Sequence, residues 1–176
     1  MHWYVFFVRT GKEEKVKQLF EKHLYSEMII PFIPLQEIIF KLPSTIKKEE
    51  RPLFPGYLFA ESELCSHEFV KKVSNLVNTY CDITRLLKYS DTEFCMRESE
   101  KQILLSLSNE NHCIKSSEGI IKGDRVHIKD GPLKGWESII KKVDRHKRRA
   151  WIEIEFMGEE RLVSVALDIT EKIIDK

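Results

Sequence analysis

The stretch Arg51-Pro52-Leu53-Phe54-Pro55-Gly56-Tyr57-Leu58-Phe59-Ala60-Glu61 constrains this chain most. Proline lacks a backbone donor and glycine permits a close or left-handed backbone, so Pro55-Gly56 marks the entry to a strand. Beyond the bend, side chains alternate: Tyr57 and Phe59 project to one face, Leu58 and Ala60 to the other. If Leu58 and Ala60 fill a core, the aromatic pair is a surplus that awaits a partner. The plain alternative is that both faces are buried.

A chain of 176 residues with 42% hydrophobic and 10% aromatic residues can bury a core, in one ordinary domain or two small ones. Cys65, Cys81, Cys95 and Cys113 form no Cys-x-x-Cys pair, and no two histidines have metal-ligand spacing. Free thiols in a reducing compartment are therefore expected, with no metal and no cofactor. No apolar run is long enough to span a bilayer, and the N-terminus lacks a signal-peptide pattern. The reading is a soluble, cytoplasmic, monomeric protein.

Trp3–Arg9 reads as a strand buried on both faces. Thr10 with Glu13 has capping-box spacing ahead of a helix whose stripe is Val16, Leu19, Phe20 and Leu24. Met28–Leu35 returns to strand character around Pro31 and Pro34. Ile38–Phe40 and Thr45–Arg51 suggest a charged hairpin or arm. Ser66 is placed to cap a second helix carrying Phe69, Val70 and Val73. Val77–Tyr80 and Thr84–Tyr89 read as short strands, and Glu98–Leu107 as a third helix. The polar run 109–117 marks a linker between domains at 1–108 and 118–176. Past it, turn signals recur about every ten residues, and Ala150, Ile152, Ile154 and Phe156 share one face; short strands so spaced make a small β-barrel.

Charge in the second domain is split. Residues 122–149 carry ten Lys or Arg against four acids, a balance of +6; residues 150–176 carry three against seven, a balance of −4. The expectation is a barrel with one basic end, the footprint of a polyanion. The candidate contacts are Lys129, Lys134, Lys141, Lys142, Arg145, His146, Lys147, Arg148 and Arg149. A solvated turn is the bland reading of such a run. Arginine suits stacking on splayed bases and forking to phosphates.

Trp3-Tyr4-Val5, the Lys12–Leu24 helix and Phe54-Pro55-Gly56-Tyr57 stand in the order found in NusG-type transcription elongation factors. Gly123-Asp124-Arg125-Val126 followed by Gly131-Pro132-Leu133-Lys134-Gly135 resembles their KOW module. The resemblance covers nearly the whole chain. It implies an α+β N-terminal (NGN) domain, with an antiparallel or mixed sheet and about three helices, followed by a small SH3-like β-barrel KOW domain. Among members, the run Lys142–Ala150 makes the chain most similar to the LoaP group, specialised paralogs that act as processive antiterminators on long operons.

The resemblance implies that an apolar patch of Phe7, Phe54, Tyr57 and Phe59 binds the clamp helices of the largest RNA polymerase subunit. It also implies that the basic barrel reads structured nascent RNA, a leader hairpin. In the general factor the Gly-Pro turn is followed by Phe, which helps dock a ribosomal protein or termination factor. Leu133 replaces it here, which counts against that coupling. Arg9, Lys12 and Arg85 are candidates for non-template DNA, with solvated surface as the plain alternative for each.

Other classes fare worse. The glycines lack phosphate-loop spacing, and no nucleophile–base or paired-carboxylate set can be placed on adjacent elements. His127 and His146 beside basic turns would be the only acid–base groups of an RNA nuclease. A housekeeping factor coupling polymerase to ribosome or to Rho is the nearer alternative. A second domain that refolds into a helical hairpin is disfavoured by the alternation from Ala150 to Phe156 and by Gly158.

Overall fold

A computed structural model describes residues 1–24, 28–41 and 45–173. The chain forms two compact units, one of Met1–Pro34 with Phe54–Lys101 and the other of Leu35–Leu53 with Gln102–Lys176.

The first unit is built on β1 (His2–Val8), which pairs antiparallel with β5 (Tyr57–Ser62) on one side and β6 (Ile83–Leu86) on the other. The outer edge of β5 takes β2 (Ile29–Phe32), giving the order β2-β5-β1-β6. Alternation along β1 and β5 sends Tyr4, Phe6, Val8, Leu58 and Ala60 into one core. Val16, Phe20 and Leu24 of α1 (Glu13–Leu24) close it, with Phe69, Val73 and Leu76 of α2 (Ser66–Thr79). Each fully buried side chain of this kind contributes roughly 1.5–3 kcal/mol.

Two local expectations are corrected. Glu13 does not reach back to Thr10; its carboxylate is buried and accepts the Gly56 N–H at 2.7 Å. Gly56 sits at φ +86°, where an added Cβ would stand 3.0 Å from Thr10 Oγ1, so the bend needs glycine on both grounds. Val77–Thr79 continues α2 instead of forming a strand, because Leu76 keeps the buried stripe in register for another turn.

The second unit contains the hairpin of β3 (Leu35–Lys41) and β4 (Ile46–Pro52). Its charged arm is tied down at Glu37, which takes Lys48 Nζ at 3.1 Å and the Ser116 N–H at 3.0 Å. The segment 109–117, expected as a linker, holds β7 (Cys113–Ile114), which pairs parallel with β3. Its two apolar side chains are buried there, and Asn109 Oδ1 accepts the Asn111 and Cys113 N–H groups, each at 3.0 Å. The third helix, α3, spans Glu98–Leu107 as its periodicity predicts.

Five strands follow: β8 (Ser117–Lys122), β9 (Arg125–Asp130), β10 (Ile140–Asp144), β11 (Arg149–Phe156) and β12 (Glu159–Ile173). Their order is β10-β11-β12-β8-β9, consistent with an SH3-like barrel. Ala150, Ile152, Ile154 and Phe156 all point inward and are buried, as their alternation predicts. Met157 and Gly158 both have positive φ, the two-residue turn that matches strand twist in a tight hairpin. β12 runs on as one strand, antiparallel to β11 in its first part and parallel to β8 in its second.

Candidate functional site

Two surfaces carry the residues singled out by the sequence, one in each unit. The first is the sheet face opposite the helices. Phe7 and Tyr57 are register partners across β1 and β5, with ring centroids 5.3 Å apart, and both are half-buried. Phe54 approaches Tyr57 edge-on at 6.5 Å, and Arg85 lies 6.0 Å over the Phe7 ring. Phe59 is on the same face but has no exposure, and Phe54 has 5%.

All four candidate aromatics therefore fall in one cluster, but they form two layers. Phe59 is the inner hub: Phe54 stacks on it at 6.0 Å, Phe32 lies at 5.4 Å, and Trp3 meets it edge-on at 6.0 Å. Such contacts add stability beyond area burial. Phe54 and Phe59 thus form a buried inner layer, and Phe7 with Tyr57 form the accessible rim. Trp3 and Phe32 were missed as members of this cluster. The alternation that puts Phe7 on this face puts Trp3 there too, but the run His2–Val8 is apolar throughout and gives no preference between faces.

Arg9, Lys12 and Arg85 are exposed. Arg9 donates its backbone N–H to Asp82 O at 2.8 Å, and Arg85 pairs with Phe7, which brings both to the same end of the sheet. Lys15 occupies Asp82 at 2.7 Å, and that hydrogen bond holds the Asp82 carboxyl below its ordinary range. Arg9 stands only at the margin of this pair, at 4.0 Å.

The second surface is the turn between β10 and β11. Asp144 Oδ1 accepts the Lys147 N–H at 3.0 Å, and the Arg148 N–H reaches Arg145 O at 3.3 Å. The Lys147 N–H bond lowers the Asp144 pKa, so the anchor stays charged. Arg148 has φ +50°, its carbonyl accepts the Leu167 N–H at 3.0 Å, and its guanidinium meets Asp168 at 3.1 Å. Arg148 is thereby committed to shaping the turn. Arg145, His146 and Lys147 are left exposed at its tip.

The strand registers bring other basic candidates toward this turn. Leu133, beside Lys134, donates its N–H to Ser117 Oγ at 3.1 Å, and Ser117 is the register partner of Leu167, whose N–H reaches Arg148 O; the connection bearing Lys134 therefore meets β12 at the same stretch as the basic turn. Lys129 lies beside Asp130, the register partner of Glu118, at that same end of β8. Lys141, at the start of β10, is held by Glu153 at 2.8 Å. Lys142 turns instead onto Trp151, its Nζ 5.1 Å from the ring centroid. The nine candidates thus comprise the basic turn, Lys129 and Lys134 across β12 from it, and Lys141 and Lys142, which engage Glu153 and Trp151. Leu133, which follows the Gly-Pro turn, is fully buried. Among the described residues no cluster of His, Cys, Asp or Glu is placed to hold a metal ion, and all four cysteines are unpaired.

Residues 1–105 match the NusG family, described as "Transcription termination factor nusG". "Transcription termination/antitermination protein NusG" of Rickettsia conorii is 24% identical over 166 residues, covering 89% of this chain and 82% of its own length. The protein of that name from Thermus thermophilus is 24% identical over 183 residues, covering 98% of each. A solved structure, "Domain interaction in Thermotoga maritima NusG", covers 96% of this chain and 93% of its own at 20% identity, with a TM-score of 0.54; it bears on the fold alone. The family match spans more than half of the chain, and on that ground the protein belongs to the NusG family of transcription factors.

Proposed function

We propose that this chain is a transcription elongation regulator that binds RNA polymerase through its first unit and nascent RNA through its barrel, promoting processive antitermination of long operons in the manner of the LoaP group. The polymerase contact is the rim of Phe7 and Tyr57, directed at the clamp helices of the largest subunit. The RNA contact is the turn bearing Arg145, His146 and Lys147, directed at a hairpin in the leader transcript. Lys129 and Lys134, across β12 from the turn, extend that surface, and Lys141 is engaged by Glu153. Arg9 and Arg85 are the candidates for non-template DNA.

One observation carries the reading. Arg145, His146 and Lys147 are held on a rigid turn, fixed from within by Asp144 and by Arg148–Asp168, with their side chains left to solvent. A solvated loop needs no such scaffold, whereas a phosphate-binding one gains from it, since preorganised cations lose less freedom on binding. Burial of Leu133 supports this reading over coupling to a ribosomal protein or a termination factor, because no side chain projects there to dock.

The test is binding of the full chain to a structured RNA across a salt series. Each phosphate contact contributes close to one unit of slope in log affinity against log salt, so two to three units are expected. Arg145→Glu with Lys147→Glu removes that slope and leader-dependent readthrough, and leaves polymerase binding intact. A slope near zero in the wild type, or loss of polymerase binding in the double variant, overturns the assignment.

A further inference from the structure

Beside the basic turn, the outer face of β11 presents Arg149 and Trp151, two residues apart and therefore about 6.6 Å apart along the strand. Both are half-buried, between the inward Ala150 and Ile152. Trp151 pairs with Lys142 of β10 and Ser164 of β12, so its indole is flanked by those two side chains on the outer face. Lys142 covers the ring at 5.1 Å and forms no ion pair among the described residues. Arg149 Nε is buried with no hydrogen-bond partner. An aromatic face, a cation above it and a guanidinium whose buried Nε lacks a partner thus adjoin the turn proposed to bind phosphates.

From this juxtaposition we infer that the barrel reads an unpaired RNA nucleotide: the base stacks on Trp151, Lys142 shifts from the ring to a neighbouring phosphate, and Arg149 donates to the sugar–phosphate backbone or the base edge. This rests on the RNA-binding reading and deepens it, since it names a hairpin with an exposed base, rather than plain duplex, as the substrate. Duplex RNA offers no free base face, whereas loops and bulges do, and aromatic rings capture those faces largely irrespective of sequence. A barrel lacking such a ring would bind duplex and hairpin alike through charge.

The full chain is titrated with two RNAs, a stem closed by a single-stranded loop and the same stem as a blunt duplex. The wild type binds the looped RNA at least about tenfold tighter, the range one stacked base supplies. Trp151→Leu loses that preference while duplex affinity holds, and Trp151→Phe keeps most of it. Tryptophan emission falls when wild type meets the looped RNA and does not in Trp151→Phe. That signal decides the matter even if the leucine variant melts early. Equal affinity of the wild type for both RNAs overturns the stacking site and leaves the charge-based reading standing. So does preference retained by a folded Trp151→Leu, or quenching that persists in Trp151→Phe. Failure of the wild type to bind either RNA at low salt overturns both.

Discussion

The carboxylate of Glu13 receives the backbone N–H of Gly56 at 2.7 Å, inside the first unit, so the first turn of α1 is fastened to the bend that opens β5. The bond joins two of the segments that the family resemblance rests on, and it fixes where Tyr57 emerges.

Glu13→Ala strands a buried N–H that had a charged acceptor. The expected loss is about 1.5–3 kcal/mol, read as a lower urea midpoint with an unchanged slope. Glu13→Gln keeps an acceptor and loses less. Equal losses in the two variants would mean that helix-terminal charge, not the bond to Gly56, is what matters.

The two-layer aromatic face separates binding from folding. Tyr57→Ser and Phe7→Ser should weaken polymerase binding by at least about tenfold, as for anchors at an interface centre, with circular dichroism preserved. Phe59→Ala should cost about 3–5 kcal/mol of stability and so report on packing alone. A Tyr57 variant that binds polymerase normally would remove the rim from the interface.

Arg148 combines a left-handed backbone, φ +50°, with the ion pair to Asp168. Arg148→Ala gives up the pair and keeps the strain, for a loss of up to about 1 kcal/mol. Arg148→Gly gives up the pair but relieves roughly 1 kcal/mol of strain, so its midpoint should stay near that of the wild type. The order of the two midpoints in thermal melts checks this.

Glu37 supplies a pH dependence. Burial alone would raise its pKa, but bonds from Ser116 and Lys48 outweigh that and hold it below the ordinary glutamate value. A depressed folded pKa contributes stability that is complete above the unfolded value and lost as pH falls through the folded one. Acid unfolding followed in the second unit should therefore be shallower in Glu37→Gln than in wild type, with the curves differing least under strongly acid conditions. Parallel curves would exclude Glu37 as a source.

What the sequence revealed depends on how many faces each segment buries. The inward set Ala150, Ile152, Ile154 and Phe156 was legible because one face of β11 is polar. The alternation left two readings open at Phe59, since β5 buries Leu58 and Ala60 on one side and Phe59 on the other, and alternation cannot say which apolar face is outermost. Glu13 matched a capping spacing yet serves a residue far along the chain, information that no local window contains. Charge counting could not see that Arg148 meets Asp168, nor that the Ser117–Leu167 register brings the Lys134 connection toward the basic turn. Trp151 was visible as an outward residue; only the register with Lys142 gave it a partner.

The parallel pairing of β12 with β8 has a kinetic consequence. As the polypeptide leaves the ribosome, β8 can zip with β9 at once, but its other edge stays open until Leu167–Ile173 arrives. Closure of that long loop sets the pace of maturation, because distant pairings form late. The basic turn gains its Asp168 brace in the same event, so the surface proposed to meet RNA is completed only as this ladder closes.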